Sequence, residues 1–414
     1  MNKQTVLYLR TDLSASELIA GGSVSHTVGV LNGFLQLNYE VVCASSAMLS
    51  ILKKMPLKQL LPLANPPWLH VIRWKLNCVF SNLFFTMQVM PLFKKYQFSF
   101  IYQRYSLLNC VGILLSKLKK VPLILEYNGS EAWVDKHWVR GTWFKLTWLI
   151  ALIEKINIRQ ASMIVVVSQV LKDELVRRGI AAQKILVNPN GVDTDLYDPA
   201  KLIDERAAIR KQLGIEDKFV FGFIGTFSYW HGIDVIEQMI IELCKKTRRA
   251  HFLLIGDGRL HTTLVRNIEH ANLNHAVTFA GVLAQQEARA YLAACDAFLC
   301  PTQPNADGSP FFGSPTKMFE YMSMSKPIIA SDLEQLHDLL HPAFRSEDNS
   351  SQDVLGFLVS PDDVNGFVTA AVKIMAMDDT LYTIIGKNAR LKVEEKYTWL
   401  KHVSRIATHF KVMN

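Results

Sequence analysis

The chain has 414 residues, half of them apolar and a fifth charged. A chain of this length is too long for a single compact core and predicts two globular domains of roughly 200 residues each. The net charge is +8, and it is uneven. Residues 1–200 hold 22 Lys and Arg against 12 Asp and Glu, whereas residues 201–414 hold 23 against 25. Neither a known nucleic-acid-binding motif nor a densely basic helix is present, so a nucleic-acid partner is excluded.

In the first half, apolar runs alternate with longer helical patterns. Five runs rich in Val, Ile and Leu predict buried strands: TVLYLR, YEVVCAS, FSFIYQR, VPLILEYN and ASMIVVVS. The segments between them are long enough for crossover helices. Strands that alternate with helices predict a parallel, doubly wound α/β sheet.

A second series of the same kind follows a turn-rich segment that contains Pro189, Gly191 and Pro199. Its predicted strands are KFVFGFIGTF, AHFLLIGDG, NHAVTFAG, CDAFLCPT and KPIIASD. The sequence therefore predicts two Rossmann-like domains, 1–197 and 198–395, facing across a cleft. A last helix over 396–414 is expected to pack back on the N-terminal domain.

Several features predict a cytosolic protein. The first residues enter a strand pattern without the order of a signal peptide. The long apolar run Leu76–Phe93 contains five polar residues and a proline, which argues against a membrane span. The six cysteines are unpaired in spacing and are expected to be reduced. No D-x-D triplet or His/Cys cluster occurs, so no metal is expected.

The basic excess of the first half is interleaved with aromatic residues in LKKMP, VIRWK, LFKKY and KHWVRGTWFKLTW. Two interpretations remain open. The pattern suits an anionic membrane surface or an anionic acceptor, and it equally suits a solvated face with tryptophans in the core.

The segment GSPTKMFEYMSMSK, residues 313–326, carries the most chemistry. We predict that Ser314 caps a helix whose first residue is Pro315. The N–H groups of Thr316 and Lys317 would then face an anion at the positive helix end. Glu320 falls on the same face as Thr316, about 6 Å further along the axis. The pattern predicts a diphosphate at the helix tip and a carboxylate on the ribose hydroxyls one turn deeper.

Together with this block, motifs along nearly the whole chain resemble the retaining glycosyltransferases of family four (glycosyl transferases group 1), which have the GT-B fold. The order of the pieces carries the resemblance: GGS at 21–23, VVVS at 165–168, PNGVD at 189–193, IGTFSYWHGID at 224–234, LLIGDG at 253–258 and VTFAGVL at 277–283, then CDAFLCPT, SPTKMFEYM and KPIIASD. The polysaccharide-biosynthesis members with an SPTK-F-E block are the most similar.

The resemblance implies a role for each matching position. Glycines in two loops let the backbone approach the donor diphosphate, the backbone near Val282 lies against the base, and Glu320 binds the ribose. The donor-binding residues that it implies are Gly21, Gly22, Ser23, Gly225, Thr226, His231, Val282, Ser314, Pro315, Thr316, Lys317 and Glu320. The candidate catalytic residues are Asn128, Lys317 and Glu320.

This chain departs from the family pattern around the donor sugar and the diphosphate. Phe312 occupies the position of the first glutamate of the family's pair, for which Asp307 is a possible substitute. His231 and Thr226 replace the usual lysine and arginine, and such a histidine is expected to be only partly charged at neutral pH. Asn128 stands where many members have a histidine.

The sequence thus predicts a transferase that moves a sugar from a UDP- or GDP-linked donor, with retention, to a glycan or lipid-linked acceptor in bacterial surface polysaccharide synthesis, such as lipopolysaccharide or capsule. No cofactor beyond this co-substrate is implied. We expect it to be peripheral on the inner face of the cytoplasmic membrane, and its oligomeric state is open. Two alternatives are a GT-B sugar-nucleotide epimerase and a catalytically silent GT-B partner subunit.

Overall fold

A computed structural model describes residues 3–12, 21–47, 50–66, 69, 74–137, 146–345 and 353–413. The chain forms two compact units. The first comprises Met1–Ile19, His26–Pro189 and Trp399–Asn414, and the second comprises Ala20–Ser25 and Asn190–Thr398. The divisions fall at 189/190 and 398/399, whereas the sequence placed them after residues 197 and 395.

The first unit is built on a seven-stranded parallel sheet with the order β3-β2-β1-β4-β5-β6-β7. Its strands are β1 (Thr5–Arg10), β2 (Glu40–Ser45), β3 (Gln59–Pro62), β4 (Phe98–Arg104), β5 (Leu123–Tyr127), β6 (Met163–Val166) and β7 (Ile185–Val187). The helices in this part of the chain are α1 (Gly22–Gln36), α2 (Trp74–Val89), α3 (Leu92–Lys95), α4 (Val111–Lys119), α5 (Glu131–His137), α6 (Thr147–Gln160) and α7 (Gln169–Arg177).

The second unit is built on a six-stranded parallel sheet with the order β10-β9-β8-β11-β12-β13. In chain order its helices and strands are α8 (Ile203–Leu213), β8 (Phe219–Ile224), α9 (Ile233–Lys246), β9 (Ala250–Ile255), α10 (His261–His270), β10 (Val277–Gly281), α11 (Gln285–Ala293), β11 (Ala297–Cys300), α12 (Thr316–Ser323), β12 (Ile328–Ser331), α13 (Glu334–Leu340), β13 (Phe357–Val359), α14 (Val364–Met375) and α15 (Asp379–Lys396).

All ten predicted strands are present, and the prediction of two doubly wound parallel sheets is confirmed. Residues of the central strands are buried on both faces, as in TVLYLR of β1, which is why they appear as continuous apolar runs. The sequence missed β3, β7 and β13 at the ends of the sheets. The strands β7 and β13 have only three residues, and the four residues of β3 are half-buried or exposed, so none of them appears as a buried apolar run.

The final helix, α16 (Trp399–Met413), belongs to the first unit and packs closely on α1. A Cβ at Gly29 would lie 2.1 Å from the indole of Trp399, and one at Gly33 would lie 2.6 Å from Val403. Both positions therefore require glycine, because any side chain would separate the two helices.

The stretch Lys75–Lys95 is long and apolar enough to cross a membrane, by length and composition, as the core helix of a soluble protein also is. In the structure it contains two helices, α2 and α3, with Pro91 between them. The Asn82 amide donates to the Leu108 carbonyl and accepts from the Cys110 N–H. These bonds place the polar side of α2 inside the first unit.

Candidate functional site

The second sheet reverses its winding between β8 and β11, which are neighbours there but are separated in the chain by β9 and β10. Ligands of doubly wound sheets bind at the carboxyl ends of the strands at such a switch point. Gly225 directly follows β8, and Cys300 ends β11. The helix α12 is fixed beside them, because the Tyr321 hydroxyl accepts a hydrogen bond from the Ile224 N–H at 2.8 Å.

The helix α12 begins one residue later than predicted. Pro315 is the N-cap, with an extended backbone and no side-chain capping bond, and Thr316 is the first helical residue. The prediction that Ser314 caps the helix is wrong. Its hydroxyl accepts from the Asn190 N–H at 3.1 Å, and its carbonyl accepts from the Asn190 amide, so this side chain is engaged elsewhere.

This shift preserves the anion-binding geometry of the helix tip. The first N–H groups of a helix have no acceptor within the helix, and here they belong to Thr316 and Lys317. Gly22, which is part of the second unit, lies at this tip: a Cβ there would be 2.6 Å from Thr316 Oγ1. Glycine at position 22 therefore allows the backbone of the Gly21–Ser23 loop to approach the helix tip.

Lys317 places a buried positive charge at the switch point. Only 6% of the residue is exposed, and its Nζ has no hydrogen-bond partner among the described residues. The Nζ lies 4.2 Å from the centroid of the Phe223 ring and 2.9 Å from the position of a Cβ on Gly225. Burial lowers the pKa of Lys317 from 10.5 to about 8. A desolvated ammonium without a counterion is the arrangement that an anionic ligand completes.

Glu320 lies nearly one turn further along the same helix and is 7% exposed. Burial raises its pKa to about 7, against hydrogen bonds with Tyr197 and Ser25 and the charge of Lys317, which lower it. Tyr197 also bonds the side chain of Gln285, at the start of α11. The carboxyl group is therefore held by neutral hydroxyl groups, and its protonation changes near neutral pH.

His231 also lies beside Gly225, because its Nδ1 would be 3.5 Å from a Cβ at that position. Its Nδ1 is 2.7 Å from the carbonyl oxygen of Thr226, which can only accept, so Nδ1 carries the hydrogen. Burial and the nearby Lys317 lower the His231 pKa to about 3. The expectation of a partly charged histidine is therefore corrected: in the unliganded protein its imidazole is neutral at pH 7.

The remaining donor-site candidates of the second unit lie on loops. Val282 follows β10 and is 63% exposed. Asp307 is exposed and accepts hydrogen bonds from the backbone and hydroxyl groups of Ser309, which orders its own loop. Phe312 is half-buried. The structure thus brings five candidate residues together at the start of α12: Gly22, Gly225, His231, Thr316 and Lys317.

Asn128 belongs to the first unit, where it follows β5. Its Nδ2 donates to Glu126 Oε1 at 2.6 Å. A carboxylate can only accept, so this bond fixes the amide orientation. The Oδ1 of Asn128 is buried and has no partner among the described residues. Asn128 therefore offers a hydrogen-bond acceptor.

Glu126 is the centre of a buried polar cluster that the sequence analysis did not identify as such. It accepts from the Tyr102 hydroxyl at 2.7 Å, and its Oε1 lies 3.2 Å from His26 Nε2 and 3.9 Å from Arg104 Nε. Burial, followed by the charge of Arg104, holds the His26 pKa well below its usual value. The sequence signal for this cluster is Glu126 itself, a glutamate inside the otherwise apolar strand LILEY.

Comparisons with known proteins agree with this architecture. Residues 20–196 match the model of Glycosyltransferase Family 4, and residues 218–377 match the model of Glycosyl transferases group 1. The UDP-Gal:alpha-D-GlcNAc-diphosphoundecaprenol alpha-1,3-galactosyltransferase of Escherichia coli is 25% identical over 77% of each chain. The alpha-monoglucosyldiacylglycerol synthase of Streptococcus pneumoniae is 19% identical over 75% of this chain and 68% of its own.

Among solved structures, the crystal structure of Anabaena HepE with UDP-glucose has a TM-score of 0.71, with 18% identity over 99% of both chains. The two parallel α/β domains and this likeness over nearly the whole chain show the GT-B fold. The two family models together cover most of the chain, which belongs to the family-four, group 1 glycosyltransferases.

Proposed function

We propose that this enzyme transfers a sugar from a nucleoside diphosphate donor to a hydroxyl group of a lipid-linked glycan, with retention of anomeric configuration. One observation carries the proposal. The buried ammonium of Lys317 has no hydrogen-bond partner among the described residues. It lies beside Gly225 and about one helical turn from Glu320. A nucleotide sugar presents the matching pair of groups, a diphosphate and a ribose diol.

In the proposed complex, the diphosphate binds the N–H groups of Thr316 and Lys317 and the Lys317 ammonium. Gly22 and Gly225 leave room for it, since neither has a side chain. The ribose hydroxyls donate to the Glu320 carboxylate. The nucleobase lies against the exposed loop that contains Val282. UDP is the nucleotide that we favour, because HepE binds UDP-glucose and the E. coli relative is named for UDP-Gal.

The reaction breaks the bond between the anomeric carbon and the diphosphate oxygen, and it forms a bond from that carbon to the acceptor oxygen. Negative charge develops on the departing diphosphate, where Lys317 and the helix N–H groups stabilise it. The acceptor hydroxyl attacks from the same face and gives its proton to the leaving diphosphate oxygen. These steps use the charge of Lys317 and require no metal ion.

We propose Asn128, in the first unit, as a sugar-binding residue. Its free Oδ1 would accept a hydrogen bond from a sugar hydroxyl, and Glu126 holds it in that orientation. The proposed acceptor class is supported by the E. coli relative, whose name specifies a diphosphoundecaprenol-linked sugar as acceptor, and by the S. pneumoniae relative, which is named for a glucolipid product. We place the reaction at the inner face of the cytoplasmic membrane, in surface polysaccharide synthesis.

A direct test incubates the purified protein with several UDP- and GDP-sugars, with and without a polyprenyl-diphosphate-linked acceptor. Release of nucleoside diphosphate that depends on acceptor, together with an α-linked product from an α-linked donor, supports the proposal. Conversion of the nucleotide sugar without acceptor indicates an epimerase. Nucleotide binding without turnover indicates a catalytically silent partner subunit. Phe312 favours this alternative, because it replaces the first glutamate of the family's pair.

A further inference from the structure

Three helices of the first unit, α2, α4 and α6, pack around the segment Leu107–Cys110. Asn82 of α2 bonds the backbone of Leu108 and Cys110. Asn157 of α6 donates to the Asn109 carbonyl at 2.8 Å. The helix α4 starts directly after this segment and contacts α2. The inner faces of the three helices therefore pack on the same segment, Leu107–Cys110. Their outer faces form one side of the unit.

The outer faces of these helices expose large apolar side chains in helical register. In α2 the spacing of 80, 83 and 87 and in α6 the spacing of 148, 152 and 156 each place three side chains on one face. Trp148 is 67% exposed, and Leu118 is 62% exposed. We call this surface the apolar face; its members are Phe80, Leu83, Met87, Leu114, Leu118, Trp148, Leu152 and Ile156.

The exposed charge on the helices of the apolar face is positive. On α4, Lys117 is exposed, whereas the ammonium of Lys75 on α2 is buried and paired with Asp135. On α6, Lys155 and Arg159 are exposed and share the face of Leu152. The acidic residue of that helix, Glu154, is buried and bonds Arg178 at 2.9 Å. Residues 71–73 and 138–145 of the basic and aromatic segments noted earlier lie outside the described residues.

We propose that the apolar face is a membrane-docking surface that inserts side chains such as Trp148 into an anionic lipid bilayer. The positive charge around the apolar face favours an anionic lipid bilayer as its binding partner. A second copy of the chain would bring the same positive surface and be repelled, whereas anionic headgroups complement it. Apolar side chains among basic residues suit the boundary between headgroups and acyl chains.

The inference deepens the proposed function, on which it rests for its biological purpose, because a lipid-linked acceptor lies in that bilayer. The binding itself needs only the first unit's surface. It is therefore measured without nucleotide sugar or turnover, so its failure is distinguishable from failure of the transferase assignment.

The test is sedimentation of the full-length protein with vesicles of equal parts phosphatidylglycerol and phosphatidylcholine, compared with phosphatidylcholine alone. We expect binding to the anionic vesicles only. Raising the salt from about 0.1 M to about 1 M shortens the screening length from about 10 Å to about 3 Å and should release most of the protein.

Variants separate the charged and apolar contributions. The pair Lys155→Ser and Arg159→Ser should lower the partition coefficient about 30-fold, the equivalent of about 1 kcal/mol for each charge. The matched control pair Lys211→Ser and Arg248→Ser, exposed on the second unit, should change it little.

Trp148→Ser with Leu152→Ser should weaken binding at every salt concentration. Its control is Ile203→Ser with Leu391→Ser, which are 64% and 51% exposed on the second unit. Absence of vesicle binding, equal binding to neutral vesicles, or equal effects of the control pairs would overturn the proposal. Self-association that Trp148→Ser with Leu152→Ser abolishes would assign the face to a second copy instead.

Discussion

Replacing Lys317 with methionine tests the assignment of the phosphate site by two independent measurements. Methionine keeps the length and apolar character of the lysine stem and removes only the ammonium. That ammonium is buried and lacks a hydrogen-bond partner among the described residues, so its burial destabilises the unliganded protein and the charge is available to a bound anion. Loss of the charge should therefore stabilise the protein and weaken diphosphate binding.

The size of the stability effect follows from the pKa of Lys317, which burial lowers from 10.5 to about 8. At 1.36 kcal/mol for each pKa unit, the difference is about 3 kcal/mol as an upper figure. The unfolded chain keeps this proton up to pH 10.5, and the folded protein loses it above pH 8. The cost is therefore present in full below pH 8 and disappears as the pH rises from 8 to 10.5.

Thermal unfolding without ligand measures this effect. At pH 7 the Lys317→Met variant should melt higher than the wild type, by roughly 6–12 °C at the upper limit for a domain of this size. The difference between the two proteins should vanish towards pH 10.5.

Calorimetric titration measures the binding effect. A charge-assisted contact contributes about 1.5–3 kcal/mol, so the Kd for a nucleoside diphosphate should rise about 10- to 150-fold in the variant. The Kd for the nucleoside alone should not change. In the wild type, diphosphate affinity should fall as the pH rises above 8, because binding then requires protonation of Lys317.

Lys326→Met is the matched control. Lys326 is a lysine of the same unit that contacts a ring, Tyr382, and burial also lowers its pKa. This substitution should leave diphosphate affinity unchanged. Equal losses of nucleoside and diphosphate affinity in Lys317→Met would show that the ammonium does not face the diphosphate. A lower melting temperature would show that the buried charge does not destabilise the protein.

Three further predictions concern the same site. Glu320→Ala should reduce transfer to background in the product assay while the melting temperature shows an intact fold, and unchanged donor affinity and turnover would remove Glu320 from the site. His231→Lys should tighten diphosphate binding in calorimetry, because it adds a cation where the neutral imidazole has a pKa of about 3; no gain would place position 231 away from the phosphates. Treatment with EDTA should leave the rate of sugar transfer unchanged, and a loss that Mg²⁺ restores would contradict the metal-free mechanism.

The local pattern of the chain determined much of the fold. The central strands are buried on both faces and so appear as apolar runs, and the segments between them allow only crossover helices. The edge strands were missed, since β7 and β13 have only three residues and β3 is not buried as an apolar run. Their positions depend on pairing with a neighbouring strand that the local sequence does not specify.

The chemistry of α12 was also evident from the sequence, because its N–H groups, lysine and glutamate are set by spacing along one helix. The partner of each group became visible only once the chain was folded. The Ser314 hydroxyl accepts from Asn190 and does not cap the helix, the Asn128 amide donates to Glu126 and leaves its buried oxygen without a partner among the described residues, and burial makes His231 neutral. Asn190 is distant in the chain from Ser314, and Lys317 from His231, so local sequence shows which groups are present and the packing sets their orientation and charge.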